Sequence, residues 1–401
     1  MNENQRNIIS STVPVLREGG LALTSHFYKR LFLHHPELKN SFNMGNQKSG
    51  KQQQALAMAV LAYAEHIANP GVLLPELERI GHKHVSLDIR PEHYPIVGNH
   101  LLASIKEVLG DAATPEILEA WELAYQELAD LMIKLEAKMY QDQSSLPGGW
   151  TGWRPFVVSK KVDESEEITS FYLKPSDGGK VVRHIPGQFI SLKVFLPDLG
   201  LNQARQYSLS NVPNDNEYRI SVKRENDSRL NINGMISNHL HDRIEEGGIV
   251  NLSAPAGSFT LVEPLNRPLT LISGGVGVTP LLSMLETMAA STLTHPLTWV
   301  HACRNKSVHA FRKPVQQLAS SHTLIEQHVF YDAVDAQDKK EGIKEGPMDL
   351  EKLPPLREDS RFYICGPAGF IKAQHAALLE MGFPQESIFF EEFGPQTIHL
   401  N

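Results

Sequence analysis

A chain of 401 residues, 41% hydrophobic and 21% charged, is too long for one ordinary core, so two or three globular domains are expected. Its net charge of −8 argues against a nucleic-acid partner, and no run of roughly 18 apolar residues marks an integral membrane segment. The two cysteines, Cys303 and Cys365, and a start (Met1-Asn2-Glu3-Asn4-Gln5) without a secretory pattern suit a reducing, cytoplasmic setting and exclude an iron–sulfur cluster built within the chain.

Residues 1–140 read as helices. One is expected from Gln52 to Asn69, stopped by Pro70-Gly71. Another runs from Pro115 to Tyr140, capped by Thr114, with Trp121, Tyr125, Leu128, Met132, Leu135 and Met139 as its apolar stripe. The polar, Gly-rich residues 141–152 read as a linker. From 153 to 265 short strands alternate with turns, the pattern of an antiparallel barrel. From 266 to 401 strands alternate with helices, which means a parallel sheet. The expected fold is therefore multi-domain: an all-α domain, an antiparallel β-barrel, then an α/β domain.

Four motifs carry chemistry in the second and third segments. Gly275-Val276-Gly277-Val278-Thr279-Pro280 follows a buried strand and opens a helix, where backbone N–H groups can approach a pyrophosphate. Taken alone, it also fits a plain strand-to-helix turn. Arg205-Gln206-Tyr207-Ser208 ends a strand; an arginine can clamp a diphosphate, a tyrosine can stack on an isoalloxazine ring and a serine can bond it. Gly234 to Asn238, with Ser237, begins a helix that offers a second phosphate-binding terminus. Cys365-Gly366-Pro367 ends a parallel strand, where open sheets bind ligands. In the helical segment His84 shares a face with Leu77, Ile80 and Leu87, which fits a core histidine as well as a metal ligand. Glu136 lies inside an apolar stripe, and a buried carboxylate needs a donor. Gln52 precedes Leu56 by one turn on another apolar face.

In this order and spacing, residues 153–401 resemble the ferredoxin–NADP reductase superfamily. The resemblance implies that Arg205 to Ser208 hold FAD, that Gly275 to Pro280 hold NAD(P)H, and that Cys365-Gly366-Pro367 lies beside its nicotinamide. Pro186-Gly187-Gln188-Phe189 resembles the strand that sets an aromatic ring on the flavin. The whole chain resembles the flavohaemoglobins, through His26-Phe27-Tyr28, Asn40-Ser41-Phe42-Asn43-Met44, Ile80 to Ser86, Glu92-His93-Tyr94 and Glu136-Ala137-Lys138-Met139-Tyr140. It implies a haem b whose iron is held by His84, with Tyr94 and Glu136 as hydrogen-bonded partners of that ligand and Lys83 beside it. Tyr28, Gln52 and Leu56 would form the distal pocket, in which the family also suggests a lipid, and Phe42 would pack on the porphyrin. Glu391-Glu392-Phe393-Gly394-Pro395 resembles the closing segment against the flavin. Glu392 stands where Cys is expected and Phe189 where Tyr is usual; residues 227–233 look longer than usual.

The activity implied is that of an NAD(P)H-dependent nitric oxide dioxygenase, joining nitric oxide and oxygen as nitrate. The alternatives are an oxygen-binding or sensing globin whose reductase keeps the iron ferrous, and a flavin-dependent peroxide or ferric reductase. Beyond the expected strand Leu297 to Ala302, Arg304 and Lys306 suit a 2′-phosphate or plain solvation, so NADPH is expected as at least a secondary donor.

Overall fold

A computed structural model of the chain describes residues 1–227, 232–291 and 293–393. By compactness the chain forms two units: Met1–Arg154 with Ser191–Arg205 and Leu252–Ala256, and the remainder.

The first unit is built on the helices Val13–His34, Lys51–Glu65, Leu74–Ser86, His93–Leu109 and Pro115–Ser145. Their apolar faces meet in a core of Ile9, Phe27, Leu31, Ala64, Ile105 and Trp121. Thr114 caps the last helix, its side chain accepting from Ile117 N. That helix runs to Ser145, five residues into the stretch read as linker. Residues 141–145 are polar but not helix-breaking; Lys138 Nζ donates to Asp142 Oδ2 at 2.8 Å one turn on. The stop is Leu146, pushed into an extended conformation ahead of Pro147. The helix expected over Gln52 to Asn69 ends at Glu65, with His66 as its cap.

Leu201–Ser208, Phe189–Leu196, Ile249–Leu252, Arg154–Asp163, Ile168–Pro175 and Tyr218–Lys223 lie side by side in one sheet. The last three pair antiparallel. A bridge from Leu209 to Ile220 joins the two ends of this order, as barrel closure requires.

The second sheet has the order Lys344–Glu345, Ile325–Tyr331, Leu297–Cys303, Leu269–Gly274, Arg361–Gly366, Ile388–Glu392, with parallel pairing throughout. Alternate strand residues serve two cores. Leu271, Trp299 and Tyr363 pack with the helix Val278–Ala290, while Ile272, Val300 and Ile364 pack with the helix Ala368–Glu380. Helices on both faces explain why these strands are apolar without alternation. No described helix is long and apolar enough to cross a membrane.

Candidate active site

Three helices converge on one imidazole. His84 comes from Leu74–Ser86, Tyr94 from the first turn of His93–Leu109, and Glu136 from Pro115–Ser145. His84 Nδ1 lies 2.7 Å from Glu136 Oε1, and the Tyr94 hydroxyl donates to the same oxygen at 2.6 Å. Glu136 is only 2% exposed, so these two donors answer a carboxyl group that water cannot reach. Burial and the neighbouring carboxylate both push the Tyr94 hydroxyl well above its ordinary value, so it stays a donor. With Glu136 accepting, Nδ1 carries the proton and Nε2 keeps its lone pair. Among the described residues no group bonds Nε2, and the His84 side chain is one-third exposed. A histidine held by a carboxylate at one nitrogen and open at the other is the arrangement of a metal ligand. It fits a haem iron, which asks the protein for a single histidine here.

The helices around it are braced by backbone carbonyls. The Tyr125 hydroxyl donates to Tyr94 O at 2.6 Å, and the Tyr140 hydroxyl to Ile89 O at 2.7 Å. Lys83, next to the imidazole, is lowered to about 8 by burial and then by the like charges of Arg79 and Arg205.

A second group forms around Tyr28. This side chain is buried, and burial raises its hydroxyl, against a smaller opposing influence of the Gln52 and Gln47 amides. The rings of Tyr28 and Phe42 meet edge to face at 5.7 Å. Phe42 and Leu56 join the apolar core yet stay only partly buried. A flat apolar group with polar edges, such as a porphyrin, suits such half-covered side chains.

Arg205, Gln206, Tyr207 and Ser208 close the strand Leu201–Ser208; the first three are half-buried and Ser208 is buried. Phe189 begins its own strand, its ring against Gly257. Gly234 caps the helix Met235–Arg243, with Ser237 Oγ donating to Gly234 O at 3.2 Å and accepting from Glu225 N at 3.2 Å.

The parallel sheet gathers the remaining motifs at its carboxyl edge. Cys365 is in register with Ser273 on one side and Glu391 on the other, and Gly366 with Glu392. Gly275 takes a φ of +55° with open space where a Cβ would stand, which keeps its backbone accessible. Gly277 lies so close to the Cys365 carbonyl that a Cβ would sit 2.2 Å from it. Val276 is half-buried and Val278, Thr279 and Pro280 are buried as the helix begins. Pro367 caps the helix Ala368–Glu380, and burial pushes the Cys365 thiol up. Phe393 is 42% exposed; Gly394 and Pro395 lie outside the described residues, as do 228–231 of the segment that looks long.

Three contacts were not legible in the motifs. Arg304 is paired with Glu167, far away in sequence. Ser86, two residues beyond His84, shares a buried hydroxyl bond of 2.8 Å with Ser191. Gln203, also buried, accepts from Met44 N at 3.1 Å and donates to Lys39 O at 2.9 Å. A lone serine or glutamine gives no periodic signal, so only the fold reveals these partners.

The globin family model matches residues 25–132, the oxidoreductase FAD-binding model 155–261 and the oxidoreductase NAD-binding model 271–376. The chain is 50% identical to the flavohemoprotein of Bordetella parapertussis over 97% of both chains. The flavohemoglobin of Malassezia yamatoensis, solved with bound FAD and heme, superposes with a TM-score of 0.87 at 28% identity, covering 98% of this chain and 99% of that one. The FAD/NAD-binding domain of a nitric oxide dioxygenase from Vibrio cholerae is 40% identical, with a TM-score of 0.56 over 60% of this chain and 99% of that one.

Proposed function

The chain belongs to the flavohemoprotein family, an oxidoreductase with haem, FAD and a nicotinamide nucleotide as cofactors, and from that premise we propose that it is a nitric oxide dioxygenase turning nitric oxide and oxygen into nitrate at the expense of NAD(P)H. Bound FAD would divide the two electrons of the nucleotide into single steps, and bound haem would supply the oxygen chemistry.

The protein's part is to hold and tune. His84 would be the iron ligand through Nε2. Glu136, at 2.7 Å from Nδ1, makes that imidazole more electron-rich than a carbonyl partner would, and Tyr94 keeps the carboxylate in place. This triad is the observation that carries the reading, because reversible oxygen carriage does not need so basic a ligand. On the other side, the Tyr28 hydroxyl, kept protonated by burial, would donate a hydrogen bond into a pocket walled by Phe42 and Leu56, with Gln52 beside it. Lys83 would lie at the porphyrin edge.

Arg205 would clamp the FAD diphosphate, with Gln206, Tyr207, Ser208 and Phe189 on the flavin and Gly234 and Ser237 at a second phosphate-binding terminus. The helix start at Gly275 to Pro280 would take the nucleotide pyrophosphate, and Cys365-Gly366-Pro367 its nicotinamide, with Glu391, Glu392 and Phe393 closing the site. Two unpaired thiols, Cys303 and Cys365, and a nicotinamide donor support a cytoplasmic setting.

Steady-state NAD(P)H oxidation in air, with and without nitric oxide, tests this reading. A dioxygenase speeds up on addition of nitric oxide. An oxygen carrier with a maintenance reductase, or a flavin-dependent peroxide reductase, does not.

A further inference from the structure

Arg304 and Lys306 are the cations that the sequence offers to a nucleotide phosphate, and the fold answers both with carboxylates. Arg304 Nη2 is bonded by Glu167 Oε1, from the turn ahead of the strand Ile168–Pro175. Lys306 Nζ lies 3.9 Å from Glu341, which also pairs with Arg312. The turn carrying Glu167 is pinned beside this segment. Glu166 N donates to Ser307 O at 3.1 Å, and Ser307 Oγ donates back to Glu166 Oε2 at 2.8 Å.

The place of this pair in the sheet gives it meaning. Ala302 is in register with Gly274, so Arg304 stands just beyond the strand end next to the Gly275 turn. Open parallel sheets bind the adenosine ribose at that edge. They read a free 2′-hydroxyl with an acidic side chain, or a 2′-phosphate with an arginine. Cys303, Arg304, Asn305 and Lys306 contain no acid. The structure supplies one from the preceding segment of the chain.

We propose that Glu167 is the specificity residue of the nucleotide site. Its carboxylate accepts the adenosine 2′-hydroxyl and, by holding Arg304, withholds that cation from a 2′-phosphate, so NADH is favoured over NADPH. The inference rests on the nicotinamide reading given above. The Arg304 side chain is 61% exposed and Glu167 30%, so their pairing adds little to stability and its removal should leave the fold intact. Its effect falls on an incoming charge: a 2′-phosphate at Arg304 would face the carboxylate already bonded to that cation, with Glu166 on the same turn.

The test measures flavin reduction in the holoenzyme with ferricyanide as electron acceptor, which requires neither nitric oxide nor oxygen. Glu167→Gln should raise kcat/KM for NADPH and lower it for NADH, so that their ratio shifts about tenfold or more (~1.4 kcal/mol). Adding Arg304→Ala to that variant should cancel the gain for NADPH. Competitive inhibition by adenosine 2′-phosphate gives a binding readout independent of turnover: it should tighten in Glu167→Gln and weaken again in the double variant. An unchanged NADH-to-NADPH ratio in Glu167→Gln, or an Arg304→Ala substitution that depresses both nucleotides alike, overturns the assignment. If neither nucleotide reduces the flavin of the unaltered protein, the nicotinamide reading fails and takes this inference with it. Normal reduction with an unmoved ratio sinks the Glu167 assignment alone.

Discussion

Replacing Tyr94 with Phe removes the hydroxyl that donates to Glu136 Oε1 at 2.6 Å and leaves the ring in place. Hydrogen bonds to charged groups are worth ~1.5–3 kcal/mol. Glu136 is 2% exposed, so water cannot replace the lost donor, and about 2–3 kcal/mol is expected. His84 Nδ1 remains at 2.7 Å on the same oxygen, so the carboxyl group keeps one partner and the helices should not come apart. For a helical segment of this size each kcal/mol moves Tm by ~2–4 °C, which gives a fall of roughly 5–10 °C. The assay is heat unfolding of the full chain followed by far-UV circular dichroism, at equal haem content. Because the two side chains share one interaction, Tyr94→Phe combined with Glu136→Gln should cost less than the sum of the singles by at least ~1 kcal/mol. Additive losses within ~0.5 kcal/mol would refute the coupling, and an unmoved Tm for Tyr94→Phe would refute the burial argument behind it.

Other outcomes follow from the same geometry. His84→Ala should lose haem while keeping FAD, read from the absorbance of the purified protein; unchanged haem content would end the assignment of His84 as ligand. Arg205→Ala should lose FAD on gel filtration at low concentration while haem absorbance stays, and stoichiometric FAD would contradict the clamp. Burial pulls the imidazoles of His184 and His301 down to about 4, and His309 lower still. The unfolded chain binds these protons near pH ~6.5 and the folded chain does not. Stability is therefore full above about 6.5 and lost as pH falls toward about 4, by up to ~3 kcal/mol for each of His184 and His301. Urea unfolding followed by tyrosine and tryptophan fluorescence should show a lower midpoint at pH ~5 than at pH ~7, and equal midpoints would contradict the claim.

Much of the frame was legible because it rests on period. The apolar runs that became Leu269–Gly274, Leu297–Cys303, Ile325–Tyr331 and Arg361–Gly366 read as strands, since both faces are covered. The carboxylate Glu136 stood out because an apolar stripe is a costly place for it, and its partners are the two expected, His84 and Tyr94. Helix ends were less visible. Residues 141–145 are polar, and polarity alone does not stop a helix; Pro147 does. Pairings between distant residues left no local trace. Glu167 on Arg304 and Ser191 on Ser86 each depend on how the chain folds back, and neither residue type stands out in its own neighbourhood. The same blindness left Arg304 open to a phosphate or to plain solvation, with no sign of the Glu167 beside it.

The central claim, that one chain links a nicotinamide nucleotide to the conversion of nitric oxide into nitrate, is tested most directly by stoichiometry. The purified protein, loaded with haem and FAD, is given a measured amount of nitric oxide in air with excess NADH, and nitrate formed and NADH consumed are quantified together. Each nucleotide supplies two electrons and each nitrate requires one, so nitrate should appear at twice the amount of NADH consumed above the rate without nitric oxide. NADH oxidation that ignores nitric oxide and leaves no nitrate would contradict the account.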